Sequence, residues 1–313
     1  MNESSIIQSD SQYEILPVID AHTHIFPDGI AEKARDNVSK YYGAPMYTCG
    51  KVSELYRVRG GVYKNRSVVM QLVCSPAITP SQTESINTFI AGVCEKDDSL
   101  IGFGTLHRDN ENYKSEISRM KMLGLKGIKF HPDFQRTNMD DPKLIEIYKE
   151  AARAKLPVLF HMGDKVMKYS TADKLRNVLD EVPELIVIAA HMGGYMHWKD
   201  AFDAIPVCDR VYYDISSTLS FVPPEGIRKM LRKFGTDRIF FGSDFPICNP
   251  TDELKKLDEI GLNDIDRRRI ECYNFIDFLN KEIQGEQKTN EGTKQKNGGF
   301  YRFGNTPYDQ NIK

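Results

Sequence analysis

The sequence predicts an α/β protein built as a (β/α)8 barrel, the TIM-barrel architecture. Two observations lead to this fold class. Eight short apolar runs of strand character alternate with segments of helical periodicity. Six of the seven histidines stand at the ends of such runs, and the carboxyl ends of barrel strands are where an active site is assembled. These six are His22, His24, His107, His131, His161 and His191.

The predicted strands are almost continuously apolar, as expected for parallel strands that are buried on both faces. They span residues 18–24, 68–75, 100–107, 125–131, 157–161, 185–191, 211–216 and 238–244. The main competing fold is an open, doubly wound sheet. Metal-ligand residue types on the first, middle and last strands favour closure, because only a closed barrel brings the first strand beside the eighth.

The barrel is predicted as one domain over residues 18–281, after an N-terminal extension at residues 1–17. The first connection, residues 25–67, is unusually long and includes a predicted helix over 28–41. Connections of this length commonly serve a function. Residues 282–313 form a polar C-terminal tail whose composition is typical of disorder, although its aromatic residues could dock on the barrel or on a second subunit.

The composition excludes several classes of partner. The net charge is −2, which gives no electrostatic sign of nucleic-acid or membrane binding. No apolar run reaches the length of a membrane span, and the first residues lack the pattern of a secretory signal. The six cysteines form no CxxC pair and are expected to be free thiols in a reducing compartment. We therefore expect a cytoplasmic protein that acts on a small-molecule substrate.

The strongest chemical signal is a set of metal-ligand residue types at strand ends. His22 and His24 are two residues apart on a predicted strand, so their side chains share one face and can bind one ion such as Zn²⁺. A single HxH pair is weak evidence. It is strengthened by His161, His191 and Asp244, each of which ends its own apolar run. The sequence therefore predicts a metal site at the carboxyl ends of the strands.

The sequence leaves open the roles of two aspartates near this set. Asp20 lies two residues before His22, and it is expected either to orient a ligand or to bond a neighbouring strand's side chain. Asp214 and Ser216 end the seventh predicted strand, where a hydroxyl could contact substrate.

These motifs together resemble the amidohydrolase superfamily, and more narrowly the amidohydrolase-2 group of decarboxylases and hydrolases, which includes aminocarboxymuconate-semialdehyde decarboxylase. The resemblance implies a TIM barrel of the metal-dependent hydrolase type. The motifs that carry it are Ile-Asp-Ala-His-Thr-His-Ile-Phe-Pro at 19–27, Gly-Ile-Lys-Phe-His-Pro at 127–132, Pro-Val-Leu-Phe-His at 157–161, Ala-His-Met-Gly-Gly at 190–194 and Phe-Gly-Ser-Asp-Phe-Pro at 241–246.

The resemblance also implies a role for each residue of the predicted metal site. His22, His24, His161 and Asp244 resemble the ligands of one divalent metal, most simply Zn²⁺. His191 resembles the residue that polarises the substrate or moves protons. Asp244 resembles the carboxylate that accepts a proton from metal-bound water, so His191 and Asp244 are the expected catalytic residues.

Lys129 leaves a second arrangement open. It lies on the fourth predicted strand, where binuclear amidohydrolases carry a carboxylated lysine that bridges two metals. His161 and His191 would then hold the second ion. We favour a single metal, with Lys129 and His131 on one strand face as substrate-binding residues, and a structural salt bridge for Lys129 as the alternative.

The expected function is hydrolysis, in which metal-activated water attacks the carbonyl of a C–N, ester or lactone bond in a small, carboxylate-bearing substrate. The alternative is metal-dependent decarboxylation of a small unsaturated or aromatic acid, which would make the enzyme a carboxy-lyase. A non-catalytic scaffold that binds partners through the tail is a third hypothesis, and the intact ligand set argues against it. The resemblance further implies a homodimer.

Overall fold

A computed structural model describes residues 14–283, and its centre is a parallel barrel. All eight predicted strands are present, in the order β1-β3-β4-β5-β6-β7-β8-β9, while the short β2 pairs antiparallel with β3 and was not predicted. The strands are β1 Leu16–His24, β2 Val62–Tyr63, β3 Arg66–Cys74, β4 Leu100–Thr105, β5 Gly127–Phe130, β6 Val158–Phe160, β7 Val187–Ala189, β8 Val211–Asp214 and β9 Ile239–Phe240.

The barrel closes between β1 and the segment that follows β9. The backbone N–H of Ala21 donates to the carbonyl of Phe241 over 2.9 Å, and the N–H of Asp244 donates to the carbonyl of His22 over 3.0 Å. These bonds confirm the predicted closed barrel and exclude the competing open sheet. They also set Asp244 directly beside the His22 backbone.

Helices alternate with the strands, as the periodicity predicts. The predicted helix at 28–41 is confirmed as α1, which ends where Gly43 adopts a left-handed backbone with φ of 67°. The helices are α1 Asp28–Tyr42, α2 Val52–Arg59, α3 Thr83–Cys94, α4 Tyr113–Met122, α5 Pro132–Gln135, α6 Pro142–Arg153, α7 Ala172–Glu181, α8 Trp198–Ala204, α9 Pro224–Phe234, α10 Pro250–Glu259, α11 Asp264–Arg268 and α12 Asn274–Phe278.

Two apolar clusters hold these layers together. The larger one lies between the strands and the surrounding helices, where for example Tyr148 of α6 packs edge-on against Phe130 and Phe160. The smaller one fills the barrel interior and is joined by Phe275 and Phe278 of α12. Full burial of one such side chain contributes about 1.5–3 kcal/mol, so the barrel core depends on α12 as well as on its strands.

A buried ion-pair network ties the C-terminal helices to the amino end of the barrel. Glu271 is fully buried and accepts hydrogen bonds from Arg66 and Arg268. Arg66 also donates to Asp258 over 2.8 Å, and Arg268 donates to the carbonyl of Pro17 at the start of β1 over 2.8 Å. The C-terminal helices therefore close the barrel end opposite to the strand termini that carry the histidines.

The domain boundaries can be compared with the structure only in part. Strand β1 begins at Leu16, two residues before the predicted start of the barrel. The rest of the predicted extension before residue 14, and the predicted tail after residue 283, lie outside the described residues. Within residues 14–283 no helix combines the length and apolarity needed to cross a membrane.

Replacing Glu271 by glutamine is expected to destabilise the fold by about 3 kcal/mol, because it leaves Arg268 buried without a carboxylate and removes one of the two carboxylates that pair with Arg66. Urea unfolding measures this change. Glu225→Gln is the matched control: Glu225 is exposed and pairs with Arg228 on the surface of α9, so its loss should leave stability nearly unchanged. Equal stability of the two variants would contradict a structural role for the buried network.

Candidate metal centre

The carboxyl ends of the strands gather the predicted site residues in one place. All of them are buried except His24, whose side chain is 13% exposed. His22 and His24 end β1, Lys129 lies in β5, and the other four residues directly follow strands or lie just beyond them. Those four are His131 after β5, His161 after β6, His191 after β7 and Asp244 after β9.

Three of the four predicted ligands form a compact group. The Nε2 atoms of His22 and His24 are 3.1 Å apart, and Asp244 Oδ1 lies 3.7 Å and 3.6 Å from them, respectively. Two imidazole nitrogens and one carboxylate oxygen converge within 4.8 Å of one another. This is a donor set that suits Zn²⁺ and other divalent transition metals.

Asp214 orients His22 toward this group. Its Oδ2 lies 2.9 Å from His22 Nδ1, which leaves Nε2 as the nitrogen that faces the centre. Its Oδ1 accepts from the backbone N–H groups of His191 and Ser216. Burial alone would raise the pKa of Asp214, but the charge interaction and hydrogen bond with His22, followed by His191 and the hydroxyl of Ser216, lower it far below its ordinary value. Asp214 therefore stays ionised as an acceptor for His22.

Cys74 holds the equivalent position for His24. Its Sγ lies 3.6 Å from His24 Nδ1 and donates to the carbonyl of Thr23. The Nε2 of His24 is thus directed to the same centre as that of His22. Burial, followed by the nearby charge of Lys129, lowers the pKa of His24 well below its ordinary value. The imidazole is therefore neutral, the form that binds a metal.

Sequence reasoning did not assign either orienting residue. Asp214 ends a buried strand in the same way as the ligands do, and this was a usable signal for a site residue. Cys74 carries no comparable signal, because a cysteine at the end of an apolar run is more commonly a buried packing residue.

Asp20 bonds a neighbouring segment, the second of the two predicted alternatives. Its Oδ2 accepts from Ser243 Oγ over 2.6 Å, and its Oδ1 accepts from Ser243 N over 2.9 Å. Burial raises the pKa of Asp20 to about 7 despite these bonds. These two hydrogen bonds hold Ser243, the residue immediately before Asp244. Asp20 therefore affects the position of Asp244 through the backbone.

His161 and His191 lie next to each other beside this group. The Nδ1 of His161 is 3.0 Å from His191 Nε2, while His191 Nδ1 lies 2.9 Å from Ser216 Oγ. His161 Nε2 is buried and has no hydrogen-bond partner among the described residues. A buried imidazole nitrogen with no partner is costly, and a bound metal would satisfy it.

A separate group of ligand types, His131, Asp133 and His161, does not have the geometry of a metal site. The rings of His131 and His161 are stacked at 3.8 Å with an angle of 10° between their planes, so their in-plane lone pairs run side by side and do not converge. Both carboxylate oxygens of Asp133 already accept hydrogen bonds, from Tyr169 N and from Ser170 Oγ.

Lys129 lies directly against the histidine pair. Its Nζ is 3.1 Å from His22 Nε2, and its side chain is fully buried. Burial lowers the pKa of this amine below its ordinary value, although the nearby Cys74, Asp214 and Asp244 oppose the shift. No structural salt bridge to Lys129 is present among the described residues, and its position instead places an amine at the edge of the ligand group.

Three residues of the site adopt a left-handed backbone that is uncommon for side chains other than glycine. The φ angles are 57° at His191, 53° at Ser217 and 60° at Asp244. Ser217 Oγ donates to Asp244 Oδ2 over 2.6 Å. Strained backbone of this kind costs about 1–3 kcal/mol per residue, and it is typical of functional sites.

Aromatic rings from the connections after β1, β5, β7 and β8 border the centre. Tyr42, at the end of α1, packs on Phe134 and Tyr195 with ring centroids 6.0 Å and 5.8 Å away. Tyr195 in turn lies 6.0 Å from the His191 ring and 5.6 Å from Phe221. The long first connection therefore contributes to the site, as its length predicts.

The fold and the centre together define a class of protein. A closed parallel barrel that carries two β1 histidines, a carboxylate beyond the last strand and further histidines at intermediate strand ends is the arrangement of a metal-dependent barrel enzyme. The donor types, the neutral imidazole of His24 and the unpartnered Nε2 of His161 all fit a divalent ion.

Comparison with known families identifies the family to which the chain belongs. The sequence model of the family described as Amidohydrolase matches residues 19–279, which is most of the chain. The protein therefore belongs to the amidohydrolase family, whose members are metal-dependent enzymes, and the predicted resemblance is confirmed. No curated protein sequence matches the chain.

Solved structures with the same fold include both decarboxylases and hydrolases. A 2,6-dihydroxybenzoate decarboxylase from Rhizobium is 17% identical with a TM-score of 0.60, and covers 85% of this chain and 99% of its own. A dihydroxybenzoic acid decarboxylase from a Polaromonas species with bound manganese is 14% identical, with a TM-score of 0.62 and coverages of 85% and 98%. A probable 2-pyrone-4,6-dicarboxylic acid hydrolase from Acinetobacter baumannii is also 14% identical, with a TM-score of 0.62 and coverages of 84% and 99%. These similarities concern the fold.

Asp214→Asn is expected to weaken metal binding about 10–100-fold, because the amide no longer holds His22 in the orientation and tautomer that present Nε2. Competition with a chromogenic chelator measures the affinity of the apoprotein for Zn²⁺. Asp209→Asn is the control, since Asp209 precedes the same strand but is exposed and pairs with Arg238. Unchanged affinity in the Asp214 variant would show that His22 does not depend on this carboxylate.

Proposed function

We propose that this chain is a metal-dependent hydrolase that attacks the carbonyl of a C–N, ester or lactone bond in a small, carboxylate-bearing substrate. The observation that carries the proposal is the position of Lys129. Its buried Nζ lies 3.1 Å from His22 Nε2, beside the group of His22, His24 and Asp244. A cationic donor at this point suits the oxygen of a carbonyl under attack or a carboxylate of the substrate.

We assign one divalent metal, Zn²⁺ by its donor set, to His22, His24 and Asp244, with His161 as the fourth ligand through its unpartnered Nε2. When bound, such an ion polarises a substrate oxygen and makes water a competent nucleophile at neutral pH. A second ion bridged by carboxylated Lys129 is the less favoured arrangement, and His191 would then join His161 as its ligand.

Asp244 is the proposed general base. Burial raises the pKa of Asp244, but the neighbouring His22, His191 and His24 and the hydrogen bond from Ser217 outweigh that effect and lower it below its ordinary value. The carboxylate is therefore ionised at neutral pH and can take a proton from the attacking water. It then returns that proton to the leaving group, while the Ser217 hydroxyl keeps its other oxygen in place.

His191 is the proposed residue that moves protons. Its Nδ1 lies 3.1 Å from the carbonyl oxygen of Ser216, which favours a proton on that nitrogen, and its Nε2 faces His161. Burial lowers the pKa of His191 below its ordinary value, so it acts as a neutral imidazole that relays a proton. Lys129 and His131 stay predicted as substrate-binding residues.

Decarboxylation is the second candidate, and a specific observation favours it. One compact ligand group is bordered by the rings of Tyr42, Tyr195 and Phe221, which suit a flat unsaturated or aromatic acid. In that reaction the electrons of the broken C–C bond stay on the substrate carbon. A proton taken up from water and passed on by Asp244 or His191 then replaces the carbon dioxide that leaves. We keep a cytoplasmic location and a homodimer as proposals on the sequence alone.

Lys129→Met is expected to retain the metal and raise KM at least tenfold for a carboxylate substrate, since it removes a charged hydrogen-bond donor and keeps the buried volume. Plasma mass spectrometry gives the metal content, and steady-state kinetics give KM. Lys121→Ala, an exposed substitution on α4, is the control and should change neither value. Close to two equivalents of metal in the wild type, falling in the Lys129 variant, would instead establish a bridged binuclear site.

The reaction itself is expected to show water incorporated into product. Metal-loaded protein incubated with a panel of esters, lactones and amides in ¹⁸O-labelled water should release a labelled carboxylate, and chelation should abolish the release. Asp244→Asn, which keeps the size of the side chain, is expected to lower kcat by about 10²–10⁴-fold. Release of carbon dioxide from aromatic acids, with solvent deuterium at the product carbon, would establish decarboxylation in place of hydrolysis.

A further inference from the structure

Tyr42 borders the site with a hydroxyl group as well as with its aromatic ring. It is the last residue of α1, and it is half-buried above the histidine cluster. Its hydroxyl lies 3.4 Å from His131 Nε2, and that is its one hydrogen bond among residues 14–283. The direction of this bond decides what the hydroxyl can do for a substrate.

The tautomer of His131 gives that direction. The backbone N–H of Phe134 points at His131 Nδ1 over 3.3 Å, so this nitrogen is an acceptor and carries no proton. A ring whose Nδ1 accepts a hydrogen bond and carries no proton is a neutral imidazole. A neutral imidazole has one N–H, and in His131 it must be on Nε2.

The Tyr42 oxygen therefore accepts from His131, and its own proton remains without an acceptor among the described residues. Burial, followed by the charge of Asp244, raises the pKa of Tyr42 well above its ordinary value. The hydroxyl therefore keeps its proton at neutral pH. The result is a hydrogen-bond donor, oriented beforehand, at the edge of the site.

A second contact holds Tyr42 in place. The preceding residue, Tyr41, donates its hydroxyl proton to Asp164 Oδ2 over 2.9 Å, which anchors the end of α1 to the connection after β6. Asp164 is buried, and its Oδ1 accepts from the backbone N–H groups of Val166 and Met167 at 2.8 Å each. The carboxylate is thus held rigidly by its own loop before it receives Tyr41.

We propose that Tyr42 is a substrate-binding residue that donates its hydroxyl proton to a carboxylate or carbonyl oxygen of the substrate, and that Tyr41 and Asp164 position it. This inference rests on the proposed function for the class of substrate. In this arrangement Phe134 and His161 cover both faces of the His131 ring, at 3.7 Å and 3.8 Å. His131 therefore contributes to the substrate subsite through its hydrogen bond to Tyr42. Lys129 and Tyr42 then give two separate donors for a substrate with two acceptor groups.

The chain supplies its own reporter for the test. It contains one tryptophan, Trp198, which donates to the carbonyl of His191 over 2.9 Å and lies 6.0 Å from the Tyr195 ring. Selective excitation of Trp198 in the full-length, metal-loaded protein therefore follows binding at the site. The probe is benzene-1,3-dicarboxylate, a flat molecule with two carboxylates.

Tyr42→Phe keeps the ring and its contacts with Phe134 and Tyr195, and removes the donor alone. We expect the Kd of the probe to rise about tenfold, as for the loss of a hydrogen bond to a charged group, with metal content and Tm unchanged. Tyr41→Phe should raise the Kd by a smaller factor, with the same controls unchanged. Tyr47→Phe is the matched control: Tyr47 is exposed on the same connection, its hydroxyl has no hydrogen bond within the described residues, and the Kd should not change.

Four outcomes distinguish a failure of the Tyr42 proposal from a failure of the proposed function. Equal Kd values for wild type and Tyr42→Phe would overturn the inference, even if the enzyme hydrolyses its substrate. A loss of probe binding accompanied by a loss of metal or a lower Tm would overturn it too, because Tyr42 would then be structural. If the wild type does not bind the probe at all, the proposal that Tyr42 is a preorganised donor to a substrate carboxylate is overturned. A tenfold change in Kd without any turnover would support Tyr42 and count against the proposed reaction alone.

Discussion

The hydrogen bonds that close the barrel determine everything at its active end. Because β1 pairs with the segment after β9, the two β1 histidines meet Asp244, which lies at the far end of the sequence. The bond from Asp244 N to the His22 carbonyl fixes their distance, and Asp20 strengthens the same seam by holding Ser243. An open sheet of the same strands would separate these ligands and leave no metal centre.

Much of this architecture could be read from the sequence, and the reason is physical. Parallel strands that are buried on both faces appear in the sequence as apolar runs. The polar site residues follow these runs at the carboxyl ends of the strands. The eight strands, the α1 helix and the meeting of His22, His24 and Asp244 follow from that pattern. The pairing of His161 with His191 also agrees with their positions on neighbouring strands.

The remaining features depend on contacts between segments that are distant in the sequence, and hydrophobic periodicity does not predict such contacts. Asp214 and Cys74 each support a histidine from a different strand, so their roles depend on the stagger between strands. Tyr42 reaches the centre because α1 folds back over the barrel, and the path of a long connection has no local signature. The difference between hydrolysis and decarboxylation lies in these surrounding groups and not in the ligands, so the family alone does not define the reaction.

The placement of the ligands at both ends of the chain also constrains how the enzyme matures. Roughly 220 residues separate His24 from Asp244, and synthesis at about 5–20 residues per second makes that interval roughly 10–45 s. During that time the first two histidines have left the ribosome without their carboxylate partner. The barrel interior also lacks Phe275 and Phe278, which are made later still. The nascent chain therefore cannot complete its centre until Asp244 has been made, and the two β1 histidines spend that interval without their full ligand set.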